Sequence, residues 1–157
     1  MPGVKYTKNG GLQSVSGTGV DLTDTNASVA LRRKVITVSA ATKALASTDS
    51  GAVVIVTGGS AATVQLPDHE AAGSGWFVTV YVASAQNHII DTTADNILQG
   101  AVVDGTNGTT VAYAPITDMQ KITLANARIG DRIDIVCDGT SFHTTMISNQ
   151  TPTLAQS

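Results

Sequence analysis

Three histidines, His69, His88 and His143, each have an acidic residue nearby in a chain that also carries many serines, the raw material of a Ser-His-Asp hydrolase. The arrangement such chemistry needs is absent: no Gly-x-Ser-x-Gly elbow occurs, and the histidines stand beside turn residues or within strand-like runs. Asp68-His69-Glu70 places three metal-ligand types in a row, yet consecutive side chains diverge and no second cluster has ligand spacing, so the segment reads as a solvated loop. Asp91-x-Thr93-x-Asp95 opens like a calcium loop and then has Asn96 where the glycine belongs and Val102 where the closing glutamate belongs. Gly58-Gly59-Ser60 follows a strand-like run but lacks the Gly-Lys-Ser/Thr ending that cradles a phosphate. Cys137, the one cysteine, has no internal disulfide partner, and its inward position on a predicted strand suits a buried, protonated thiol. These residues predict no catalytic residue, no cofactor and no metal site, and the chain is expected not to be an enzyme.

The elements that position these residues are strands. Val, Ile and Thr supply 50 of the 157 residues, and their branched Cβ atoms favour the extended backbone. Eleven Asp stand against one Glu, Glu70, which favours turns over helices. From Val35 onward, strand-like runs alternate with turn signals: Val35 to Ser39, Ala52 to Thr57, Ala62 to Leu66, Trp76 to Ala83, His88 to Asp91, Thr110 to Ala114, Met119 to Leu124, Arg132 to Cys137 and Thr140 to Ile147. Ala40 to Ser47 has the composition for about two helical turns. The expected fold is an all-β domain, a single β-sandwich or jelly-roll-like body over 35–148. An extended N-terminal arm covers 1–34, and a flexible tail covers 149–157.

Two strand-level expectations are specific. Asp138-Gly139 suits a two-residue type I′ turn, which pairs Cys137 with Thr140, Ile135 with Phe142 and Asp134 with His143. Ile133, Ile135, Cys137 and Phe142 then share one face. Trp76 to Val82 carries Trp76, Val78, Val80 and Val82 on one face and Phe77 and Tyr81 on the other. Such a strand is covered on both sides, either by a second layer or by another subunit, and Phe77 and Tyr81 are the expected subunit-interface residues.

Charge narrows the partners. Only 13% of residues are charged, about half the usual ~25%, and the surface must instead be made of Thr, Ala, Gly and Ser, a coating suited to packing against neighbours. A net charge of −3 with no long basic run argues against nucleic acid. The longest apolar stretches fall short of the roughly 18 residues of a membrane helix, so no membrane is expected. Met1-Pro2-Gly3-Val4-Lys5 leads into polar residues rather than an apolar stretch, consistent with synthesis in a cytoplasm. The arm holds five of the nine basic residues, Lys5, Lys8, Arg32, Arg33 and Lys34, with spaced anchors at Tyr6, Leu12, Val20, Leu22 and Leu31. An extended segment of this kind lies over a neighbouring surface, which makes Tyr6, Leu12, Val20, Leu22, Leu31, Arg32 and Arg33 the expected partner-binding residues.

Several phrases occur in an order that resembles the small β-domains of tailed-bacteriophage virions: Leu45-Ala-Ser-Thr-Asp49-Ser-Gly51 before Val53 to Val56, Ala62-Thr-Val64-Gln-Leu66-Pro67, Gly75-Trp-Phe-Val-Thr-Val80, Asp95-Asn-Ile-Leu-Gln-Gly100, and Gly130-Asp131 through Asp138-Gly139-Thr-Ser-Phe142. The set spans about residues 45–142 and is similar to capsid decoration, or cement, proteins. The resemblance implies a homotrimer on the outer capsid surface of a virion, bound to the major capsid protein and strengthening the shell after synthesis in the host cytoplasm. Similar domains occur in head fibres and tail fibres, where the implied role is receptor or glycan binding. The single small domain, expected to be complete at both ends and without heptads or repeats, favours decoration.

Overall fold

The computed structural model describes residues 4–7, 11–14, 33–39, 41–92, 96–105, 112–125, 127–149 and 151–156. The chain divides into two units, Met1–Arg32 and Arg33–Ser157. In the first, β1 (Val4–Thr7) and β2 (Gly11–Ser14) form an antiparallel hairpin with Tyr6 opposite Leu12. Val20, Leu22, Leu31 and Arg32 lie outside the described residues.

The second unit is all-β. Its strands are β3 (Val35–Val38), β4 (Thr42–Ala44), β5 (Val53–Val56), β6 (Thr63–Gln65), β7 (Phe77–Val82), β8 (His88–Asp91), β9 (Leu98–Asp104), β10 (Ala112–Met119), β11 (Lys121–Leu124), β12 (Arg132–Cys137), β13 (Phe142–Ser148) and β14 (Thr153–Ala155). They build a seven-stranded sheet, β10-β9-β13-β12-β7-β5-β3, and a five-stranded sheet, β14-β11-β8-β6-β4, packed face to face. From β3 to β8 the chain alternates between the sheets, so that β3, β5 and β7 run parallel in one and β4, β6 and β8 run parallel in the other. The later strands add antiparallel pairs, with one parallel exception between β9 and β13.

Alternation of small β-branched residues explains this stacking. Ile36, Val54, Val80, Ile133, Met146 and Val102 are successive register partners across the large sheet, and all six are buried. Val64, Ile90 and Ile122 form the facing row, buried to 0% exposure, with Leu154 at its edge. At one end the layer closes on Trp76, whose ring meets Phe142 edge to face at 5.8 Å and whose Nε1 donates to Ala46 O at 3.3 Å.

Four local expectations give way to tertiary structure. The helix expected at 40–47 is absent from the described residues of that span. Thr42–Ala44 pairs with β6 instead, and a 3-10 turn follows at Ser47–Asp49, because strand partners satisfy more backbone groups than two isolated helical turns can. The Asp68-His69-Glu70 loop holds a one-turn helix, α1 (His69–Ala72), whose N-cap Asp68 accepts from Glu70 N and Ala71 N. The last hairpin turns through four residues rather than two, pairing Cys137 with Phe142, Val136 with His143 and Asp134 with Thr145. Asp138 Oδ1 accepts from Thr140 N and Ser141 N, both at 2.8 Å, and this side-chain capture favours the longer loop over a type I′ turn. The shift is two residues, so the inward face of Ile133, Ile135, Cys137 and Phe142 is preserved. Finally, the segment read as a tail supplies β14, which pairs with β11 at the sheet edge.

Asp49 ties the start of the unit together. Its carboxylate accepts from Ala46 N at 2.8 Å and pairs with Lys34 Nζ, and these bonds, the backbone one first, hold its pKa below the ordinary carboxylate value. A depressed carboxylate contributes stability that is present above its unfolded pKa of about 3.9 and is lost as pH falls through the folded value. Asp49→Asn should therefore be less stable than wild type at pH 7, with the difference shrinking below about pH 4 in denaturant titrations.

Gly100, at φ 139°, admits β9 beside β13, since a Cβ there would fall 1.9 Å from Thr144 O. Gly100→Ala should cost at least about 2 kcal/mol in denaturant unfolding. Gly59→Ala, with nothing within 4 Å of the added carbon, should change stability by less than about 0.5 kcal/mol.

Candidate interaction surface

Phe77 and Tyr81 alternate with the buried residues of β7 and so point away from the core, and the register carries that outward face across the whole large sheet. Three rows cross the strands. The first is Phe77, Val136, His143 and Gln99; the second is Val53, Thr79, Asp134, Thr145 and Ala101; the third is Ile55, Tyr81, Arg132, Ile147 and Val103. Of the six large hydrophobic residues that are exposed among the described residues, Val35, Phe77, Tyr81, Val136 and Ile147 belong to this one face, and Ile129 lies elsewhere. The opposite outer face, on the small sheet, carries Thr42, Thr63, Ile89, Thr123 and Thr153 in one row and Ala44, Gln65, Asp91, Lys121 and Ala155 in the next. Among the described residues, the large apolar side chains that are strongly exposed gather on the large-sheet face.

The apolar side has relief. The first and third rows are ridges about 13 Å apart, four residues along the strand at ~3.3 Å each. The second row is a trough of smaller side chains, and Thr79 and Ala101 are only 5% and 8% exposed although they point outward, because the ridges flank them. A groove of about 560 Å³ runs along its first flank, lined by Phe77, Thr79, Ala101, Asp134, Val136 and Thr145 among others.

Charges on the face are neutralised locally. Arg132 pairs with Asp134 at 2.7 Å and lies 5.6 Å from the Tyr81 ring centroid; Asp134 also accepts from Thr79 Oγ1 at 2.8 Å. The guanidinium's pKa is raised, chiefly by that hydrogen bond to Asp134. Arg33 stacks 5.6 Å from the Phe77 centroid and donates to Gly51 O at 2.8 Å and Ala52 O at 3.2 Å. Arg33, read from the sequence as an arm residue, is thus held by the β-unit, and so is Lys34 through Asp49. The signal was present: the strand pattern at Val35 leaves Arg33 and Lys34 immediately beside a sheet edge.

The residues that could have done chemistry are committed to the fold. His88 is fully buried; Ala62 N donates to its Nδ1 at 3.3 Å, so the proton sits on Nε2, facing Ser84 O at 3.0 Å and Ser84 Oγ at 3.1 Å. An imidazole protonated at Nε2 cannot take a proton from Ser84. His143 Nε2 meets Asp138 at 2.8 Å on the surface, and that contact with the loop bonds holds the Asp138 carboxyl far below the usual range. Cys137 is 1% exposed, accepts from Gly139 N at 3.3 Å, and has its thiol pKa pushed up by burial. Asp131, also 1% exposed, accepts from Arg128 N, Ser148 Oγ and Asn149 N. Among the described residues no group of three or more His, Cys, Asp or Glu gathers as a metal site.

No family model, no curated protein and no solved structure matches the chain.

Because Phe77 is half in solvent, its ring serves the face more than the core. Phe77→Ser should lower unfolding stability by less than about 1 kcal/mol. The same truncation at Phe142, fully buried, should cost at least about 3 kcal/mol, read from the same denaturant titration.

Proposed function

We propose that this chain is a structural virion protein that binds the outer surface of a tailed-phage capsid and strengthens it, assembling as a homotrimer through the outer face of the seven-stranded sheet. The observation that carries this reading is the concentration of exposed Val35, Phe77, Tyr81, Val136 and Ile147 on one side of a sandwich whose other side is threonine-rich. A monomer has no use for such a face; an assembly subunit does. The ordered phrases between residues 45 and 142 support the phage context. The buried or internally bonded state of His88, Cys137 and Asp131 supports a structural rather than a catalytic role. Attachment to the shell falls to the N-terminal unit, in which Tyr6 and Leu12 are register partners of β1 and β2, and whose sequence includes the basic Lys5 and Lys8 in a chain of net negative charge.

The test is reconstitution on phage particles stripped of accessory proteins. The full chain should coat the shell exterior at regular positions in electron density maps and raise the temperature at which particles release DNA. The variant Tyr6→Ser/Leu12→Ser should retain its far-UV circular dichroism and bind fewer sites at equal concentration. Density confined to a tail or head fibre, or no particle binding at all, would overturn the capsid reading.

A further inference from the structure

We infer that β3 is a docking edge that takes an extended, carboxylate-bearing segment of a different polypeptide as an added strand of the seven-stranded sheet. The site is the edge of that sheet, apart from its outer face, and does not depend on a virion role.

The backbone defines what can bind. Lys34 O accepts from Val53 N at 2.8 Å and Val38 O accepts from Thr57 N at 2.9 Å, so the even-numbered positions bond to β5. In a strand the N–H and C=O of one residue point to the same side and successive residues alternate, so those of Val35 and Thr37 point away from β5. Among the described residues β3 ends the sheet. Both residues therefore offer a donor and an acceptor to a further strand.

The other edges are blunted and this one is not. β10 carries Pro115, a register shift between Ile116 and Met119, and Asp118 at φ 49°. β14 is three residues long. β4 is also three residues long and sets Lys43, register partner of the buried Val64, on the inward row. Proline, irregular register, shortness and inward charge are the means by which sheets refuse an added strand. Val35-Ile36-Thr37-Val38 is β-branched throughout, has no proline and no charge, and pairs with β5 in unbroken register.

Charge selects the occupant. β3 and β4 are the outermost strands of the two packed sheets and are joined by residues 39–41, so Lys43 stands at the same flank as Arg33 and Lys34. Lys34 pairs with Asp49, and Lys43 also attracts that carboxylate. Three cations thus gather at one flank of a chain whose net charge is −3. A second copy of this edge would bring the same cations together, whereas a carboxylate on an incoming strand is attracted. The inward side chains of that strand lie beside Ile36 and Val38, over the flank where Lys43 stands, and its outward side chains meet the exposed Val35 and Thr37. The partner is an alternating, β-branched segment with an Asp or Glu on its inward side.

Fluorescence anisotropy with the full chain tests the edge, using the peptide fluoresceinyl-Thr-Val-Val-Asp-Val-Thr-amide as probe. It should bind saturably, and about tenfold more weakly when Lys replaces its Asp or when NaCl rises from about 0.05 M to about 0.5 M. N-methylation of alternate peptide residues separates strand pairing from plain adhesion. At one parity it removes the N–H groups that face β3 and should weaken binding at least about tenfold; at the other parity affinity should stay within about threefold. Thr37→Pro, which removes an outward N–H and no bond to β5, should keep the far-UV spectrum and lose binding. Lys43→Glu should reverse the preference in favour of the Lys peptide. No saturable binding, loss of affinity at both parities or at neither, or an unchanged preference in Lys43→Glu overturns the proposal, and the parity result decides on wild type alone if Thr37→Pro fails to fold. Wild type that self-associates and is reduced to a monomer by Thr37→Pro also overturns it, by putting a second copy on the edge.

Discussion

Every part of the β-unit depends on one shared apolar layer, to which each central strand contributes side chains in register with its neighbours. Ile36, Val54, Val80, Ile133, Met146 and Val102 form one side, and Val64, Ile90, Ile122 and Leu154 the other. Because side chains alternate faces along a strand, a one-residue slip anywhere would expose a valine or isoleucine and bury its polar neighbour. The local devices serve that register. Asp138 organises the loop that sets β12 against β13, and Gly100 lets β9 approach β13. Pro115, which has no N–H to give, sits in β10 at the edge of the large sheet, where one strand side needs no partner.

The same alternation that fills the core makes the two outer faces, and they differ in kind. The small sheet turns Thr42, Thr63, Thr123 and Thr153 outward, with Lys121 bridging to Asp91 across strands at 3.6 Å. The large sheet turns Phe77, Tyr81, Val136 and Ile147 outward. Packing within the unit does not require those side chains, since the core closes beneath them on Val78, Val80 and Ile135. Arg132 and Asp134, paired at 2.7 Å, offset each other's charge in the middle of that face.

Polar residues with chemical potential are consumed by architecture. His88 bridges the β6 and β8 ends through Ala62 N and Ser84. Asp131 gathers backbone and side-chain donors from residues 128, 148 and 149. Each satisfies donors or acceptors that would otherwise be buried unpaired, and each gives up reactivity by doing so. A chain with so few charged groups uses them as internal fasteners.

The sequence by itself determined the class of fold and the division of each strand into an inward and an outward face. Composition and period-2 alternation are local properties, and they placed Val80, Ile133, Ile135, Cys137 and Phe142 inside and Phe77 and Tyr81 outside. It was silent on β9, whose Gln99-Gly100 interrupts the apolar run, and on β4 and β14, which are three residues long and owe their extended form to β6 and β11. It misjudged the last turn because Asp138-Gly139 fits a two-residue loop as a dipeptide, while the Asp138 side chain, reaching forward to Thr140 and Ser141, selects four. Only the tertiary structure decided that alternate strands stack in parallel across two sheets, that Arg33 belongs with Phe77, and that three outward rows align into ridges and a trough. Those are contacts between residues tens of positions apart, set by hydrogen-bond register between strands, and no property of a local window encodes them.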